Sequence, residues 1–245
     1  MIHYDGVMTY HNPDTVKKMQ SSKGFTLVEL LVVIAIIVTL AAALIIGVRG
    51  AMLKAQKTQC LNTMRSVTTG LTAFTFEYGK PPIPESKALP GQEVDTIFGD
   101  PGGLYKNDYI VAVLEGTDRR FTFGGEVWDV ARVNPKLETY TTFERSPMKK
   151  NGVYEVEGDA NSGQLYDPWQ KTILIAINVP PYAVDSADGL RDKLMHTWGL
   201  AEYADTKPRE EQFIIWSYGK DGVKGTAGKA VNQNTYKGSD DVISW

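Results

Sequence analysis

One cysteine, Cys60, is present, so the chain can close no disulfide within itself. Histidine is scarce as well, with only His3, His11 and His196. Charge of neither sign dominates: 26 lysines and arginines face 29 aspartates and glutamates, for a net charge of −3. A mildly acidic chain lacks the basic excess that marks nucleic-acid binders, and none is expected as a partner. There is no glycine-rich phosphate loop followed by Lys-Ser/Thr, no nucleophile elbow and no histidine–carboxylate cluster. No acidic pair stands out by spacing, so the chain reads as a non-enzyme. Internal repeats and low-complexity tracts are missing too.

The sequence does contain one long apolar run. From Phe25 to Val48 the only charged side chain is Glu29. As a helix at about 1.5 Å per residue, this run spans about 36 Å, enough to cross a hydrocarbon core. Lysine and glycine, Lys23-Gly24, precede it. Glu29 lies about one turn inside and has two readings. It is an interfacial carboxylate favoured by the helix N-terminal dipole, or it has a partner. If the chain were cut after Gly24, Phe25 would carry a free amine. In a bundle of identical helices, Glu29 of one copy would then neutralise that amine on a neighbour, and the two charges would enter the apolar core as a pair.

Gly24-Phe25-Thr26-Leu27-Val28-Glu29 resembles the prepilin processing site of the type IV pilin superfamily, which includes type IV pilins and the pseudopilins of type II secretion. The resemblance implies cleavage between Gly24 and Phe25 by a prepilin peptidase, N-methylation of Phe25, and the pairing role for Glu29. Residues 1–24 are then a leader; Met19 would give a six-residue leader, which is more typical, and is the expected start. Loss of 1–24 removes three lysines and two aspartates, taking the net charge from −3 to −4. Only His196 then remains, which excludes a multi-histidine metal site and leaves one histidine of expected structural role. The lysines before Phe25 place the N-terminus in the cytoplasm by the positive-inside rule. The expected location is the bacterial inner membrane, crossed once, with the C-terminal head in the periplasm.

Past Val48 the helix changes character. Leu53, Cys60, Met64, Val67, Leu71, Phe74 and Tyr78 form one apolar stripe on an otherwise polar helix. Gly79 and Lys80-Pro81-Pro82-Ile83-Pro84 end it. The expected organisation is therefore a leader over 1–24, a membrane or filament-core half-helix over 25–48, an amphipathic half-helix over 49–79 and a head over 80–245. In the head, Tyr109 to Leu114 is apolar and β-prone, Val127 to Val133 partly alternates, and Val153 to Val156 is a further short strand candidate. Residues 172–178 and 212–218 predict the main strands, and Leu190 to Tyr203 a short helix. The expected fold is α+β, a pilin-type roll with the long N-terminal helix laid on an antiparallel sheet.

Asp167-Pro168-Trp169 before a strand resembles the major pseudopilin of type II secretion, and so does the ending, Ser217-x-Gly219-x-Asp221-Gly222 and Asp241-Val242-Ile243-Ser244-Trp245. That resemblance implies calcium in the C-terminal loop, 217–245. Asp221 and Asp241 would supply carboxylates, Asp240 a spare and Ser217 a further oxygen, on a chain that glycines allow to bend. The other reading is a turn-rich surface loop, carrying four lysines, whose aspartates bind backbone amides. The implied partners are further copies in a helical filament, other pseudopilins, the prepilin peptidase, the inner-membrane secretion platform and membrane lipid. Residues 85–160 and 180–211 look like insertions into a smaller head. The alternative functions are a type IV pilin or minor pilin-like subunit in adhesion or DNA uptake, or a pilin-anchored glycan-binding head that uses its five tryptophans.

Overall fold

The structure, a computed structural model, describes residues 24–83, 96–179, 211–225 and 239–244, except for the side chains of 45–47. The elements in chain order are α1 (Leu27–Tyr78), β1 (Thr96–Phe98), α2 (Asp108–Glu115), β2 (Arg120–Phe123), β3 (Glu126–Asp129), α3 (Val130–Val133), β4 (Arg145–Ser146), β5 (Gly152–Tyr154), β6 (Leu165–Tyr166), β7 (Leu174–Ile177), β8 (Phe213–Ser217) and β9 (Val242–Ile243). Contacts divide the chain into two compact units, Met1–Gly50 and Ala51–Trp245.

In the first unit, no proline interrupts the helix, and its large apolar side chains from Leu27 to Leu44, and Val48, are exposed. The segment is long and apolar enough to cross a membrane. Exposure of this kind fits a helix whose surroundings are lipid or other helices.

In the second unit, Cys60, Met64, Val67, Leu71 and Phe74 are buried and form the helical side of the core, while Leu53 is exposed. The helix stops at Gly79, which adopts φ 71 and donates its N–H to the Thr75 carbonyl at 2.8 Å. A left-handed residue there satisfies a terminal carbonyl and turns the chain away.

The main sheet has the order β1-β7-β8-β9, antiparallel throughout. Its central pair falls within the two segments predicted as main strands, in the register Leu174↔Trp216 to Ile177↔Phe213. Ile175, Ile177, Phe213 and Ile215 join the core that contains the helix stripe. Leu174, Ala176, Ile214 and Trp216 pack with Ile97 in a second cluster. Both faces are therefore buried, which explains why these strands read as unbroken apolar runs and not as alternating ones. A long helix and antiparallel sheets make this an α+β fold consistent with a pilin-like one.

Two expected strands turn out differently. Tyr109 to Leu114 is the body of α2, and every residue from Asp108 to Leu114 is buried. Gly116 closes it at φ 65, with its N–H returning to helix carbonyls. Burial on all sides erased the helical period from the sequence and left only β-branched composition. The strand at Val127 ends at Asp129, because that carboxylate accepts the Ala131 N–H at 3.1 Å and starts α3. The helix expected over Leu190 to Tyr203 lies outside the described residues.

Candidate functional site

The start of α1 is built by Thr26 and Glu29. Glu29 Oε2 accepts from the Thr26 N–H and from the Thr26 hydroxyl, each at 2.8 Å, and Thr26 Oγ1 accepts the Glu29 N–H at 3.2 Å. This reciprocal arrangement is a capping box, in which two terminal N–H groups are satisfied at once. Both bonds that the Glu29 carboxylate accepts run through Oε2, so Oε1 keeps its lone pairs for another donor. Phe25 precedes the box and is 81% exposed, and Gly24 is exposed beside it. The Gly24–Phe25 bond therefore lies in accessible chain outside the helix, the condition a peptidase needs. In the sequence, the Thr-x-x-Glu spacing of Thr26 and Glu29 is the signal for this box.

The C-terminal loop brings Asp221, Asp240 and Asp241 together, with one oxygen of each within 4.8 Å of the others. Strands β8 and β9 pair at Ser217↔Val242, which holds the two ends of the loop side by side. Gly219, at φ 64, permits the close approach: a Cβ there would lie 2.5 Å from the Asp240 carbonyl oxygen. Each aspartate also binds backbone. Asp240 Oδ2 accepts from Lys220 N–H at 2.6 Å and Asp221 N–H at 3.0 Å. Asp221 Oδ1 accepts from Val223 N–H at 2.8 Å, and Asp241 Oδ2 from Gly225 N–H at 2.7 Å. Asp241 is the buried member, and its Oδ1 has no hydrogen-bond partner. Burial first, and then the neighbouring Asp240 and Asp221, push its carboxyl up to about 7. A cation among these oxygens would relieve both the repulsion and the orphaned oxygen, so the three aspartates could hold a metal ion.

Ser217 is engaged elsewhere. Its hydroxyl donates to Asp167 Oδ2 and accepts the Gly219 N–H at 3.0 Å. Asp167 Oδ1 accepts from Trp169 N–H at 2.7 Å and Lys171 N–H at 2.8 Å. The Trp169 indole N–H reaches Gln56 on α1 at 3.1 Å. The Asp-Pro-Trp turn thus ties the main sheet, the loop and the helix to one buried carboxylate. Burial raises the Asp167 carboxyl, and the Ser217 and backbone donors pull it back. Asp167→Asn keeps the shape but weakens three charge-assisted bonds; it should cost about 1–2 kcal/mol of stability, read as a lower melting temperature. An unchanged melting temperature would show that the charge is not what holds the turn.

The tryptophans form no exposed aromatic face among the described residues. Trp128 and Trp216 are buried and Trp169 is half-buried, while Trp198 and Trp245 lie outside the described residues.

Residues 19–45 match the family model of the prokaryotic N-terminal methylation motif. The chain is type IV pilin-like at this end. No curated protein and no solved structure matches it. In general, a pilin-like motif goes with processing by a prepilin peptidase and self-assembly into a filament, and the apolar helix behind it fits a membrane anchor crossing once.

Proposed function

We propose that this pilin-like chain is a pseudopilin, a structural subunit of the periplasmic filament of type II secretion. Cleavage after Gly24 and methylation of Phe25 would release the subunit for assembly. The helices would bundle in the filament core with Glu29 set against a neighbour's terminal amine, and the heads would coat the outside. Addition of subunits at the inner membrane, alongside other pseudopilins and the secretion platform, would push folded proteins through an outer-membrane channel. The energy would come from a cytoplasmic ATPase, since nothing in this chain suggests catalysis.

The observation that carries this reading over a pilus-forming pilin is the carboxylate cluster Asp221, Asp240 and Asp241 at the base of the C-terminal loop. A bound calcium would neutralise the cluster and pin the loop, with backbone carbonyls and water completing the six to eight oxygens the ion takes. The single cysteine, which leaves no disulfide to close that region, points the same way.

Secretion is the test. Cells that lack this chain should retain folded exoproteins in the periplasm while pilus-based adhesion and DNA uptake stay intact. Intact secretion with lost adhesion or uptake would overturn the reading in favour of a type IV pilin.

A further inference from the structure

Gln59 and Asn62 lie about one turn apart on the polar face of α1 and form one wall of a cleft of about 230 Å3 in the second unit. Thr142, Phe143, Glu144 and Asn151, from distant parts of the chain, also line it. Among the described residues, the side-chain amides of Gln59, Asn62 and Asn151 and the carboxylate of Glu144 make no hydrogen bond or ion pair. Asn151 is the sharpest case: its Oδ1 is shut away from solvent without a partner. Its main chain is anchored, with the N–H donated to the Asp167 carbonyl at 3.0 Å. Turning that amide into the cleft would gain a bond without breaking one.

The lining restricts what can bind. No lysine, arginine or histidine lines the cleft, so an anionic ligand would meet no counter-charge and would be repelled by Glu144. A cation would find a single, solvent-exposed carboxylate. A peptide adding as a strand would need free backbone groups, but the Glu144 carbonyl already accepts the Val153 N–H at 2.9 Å. What suits three amides, three hydroxyls and a carboxylate around a half-buried phenyl ring is a neutral ligand with groups that both donate and accept, and with an apolar C–H face. We propose that this cleft binds one neutral pyranose ring of a glycan, a site separate from the acid cluster and independent of the filament reading.

The test is binding of a panel of neutral monosaccharides to the full chain by saturation-transfer NMR, in a zwitterionic detergent without a sugar headgroup. Glucuronate and a short lysine peptide serve as controls. At least one neutral hexose should bind saturably, glucuronate should not, and Asn62→Ala should weaken binding about tenfold, with a similar loss in Glu144→Gln. Asn62 is exposed on a helix that alanine favours, so the fold is retained in that variant. Silence across the neutral panel would overturn the proposal. So would sugar binding undiminished in both variants, or binding of the lysine peptide alone.

Discussion

Glu29→Ala and Glu29→Gln should both abolish filament assembly, while only the alanine variant should disturb the start of the helix. The two substitutions separate the two things the carboxylate does. Through Oε2 it completes the capping box with Thr26, and glutamine, a natural member of that box, can still accept from the Thr26 N–H. Alanine cannot, and loss of the box should cost about 1 kcal/mol of local helix stability. Through its charge, Glu29 would neutralise the amine of Phe25 on a neighbouring subunit once the leader is gone. Neither variant can do that. An amine carried unpaired into an apolar core costs about 3–5 kcal/mol per contact, and the cost repeats along a filament. Both variants should still insert in the membrane and be cleaved, because the scissile bond lies outside the helix. The measurement is filament yield by electron microscopy, alongside the mass of the processed chain. If Glu29→Gln assembles normally, the carboxylate is only a cap and the pairing is wrong.

This experiment also marks where the sequence was informative and where it was not. The apolar run and the helix stripe at Cys60, Met64, Val67, Leu71 and Phe74 were legible because a helix buried on one side writes its period into the chain. The central strands, β7 and β8, were legible as short apolar runs flanked by turn residues. α2 was not, since Asp108 to Leu114 is buried all round and periodicity vanishes when every face is inside. Asp221, Asp240 and Asp241 are named through the resemblance of the ending to the major pseudopilin, not through spacing; that one oxygen of each lies within 4.8 Å of the others is visible only in the fold. Ser217 could not be placed: its strand position says that it points inward at the loop, but only the fold shows that Asp167, fifty residues away in sequence, takes its hydroxyl. The cleft beside Gln59 was invisible for the same reason. Its two walls are distant in sequence, and amides on a helix face look like ordinary solvated residues.

The loop also predicts an unusual pH profile. In chelator, the full chain in micelles should become less stable as pH rises from about 4 towards 7. The carboxyl of Asp241 moves from 3.8 to about 7 on folding, through burial and then through Asp240 and Asp221. Between those values the folded chain holds a proton that the unfolded chain has released, so each rise in pH favours unfolding. Below that window the two states hold the proton alike, and above it the full penalty remains. At about 1.4 kcal/mol per pKa unit the penalty is at most a few kcal/mol, reduced by solvent screening of a partly exposed loop. The buried carboxyls of Asp108 and Asp167 are also raised by burial and add a slope of the same sign. Asp241→Asn isolates the loop, since asparagine can still accept the Gly225 N–H yet carries no titrating group; its profile should be flatter across the same window. Calcium should act in the opposite sense. At about pH 8, a hundredfold excess over its dissociation constant should restore roughly 2.7 kcal/mol, visible as a clear rise in melting temperature. That gain should shrink as pH falls through about 7, because a proton and the metal compete for the same carboxylate. It should be largely lost in Asp241→Asn and in Asp221→Ala. If Asp241→Asn flattens the slope but calcium leaves the melting temperature unchanged, the buried Asp241 carboxyl titrates as described and no divalent ion relieves it. The loop would then be held by its backbone hydrogen bonds, and the case for a calcium-dependent pseudopilin would lose the observation that separates it from a type IV pilin.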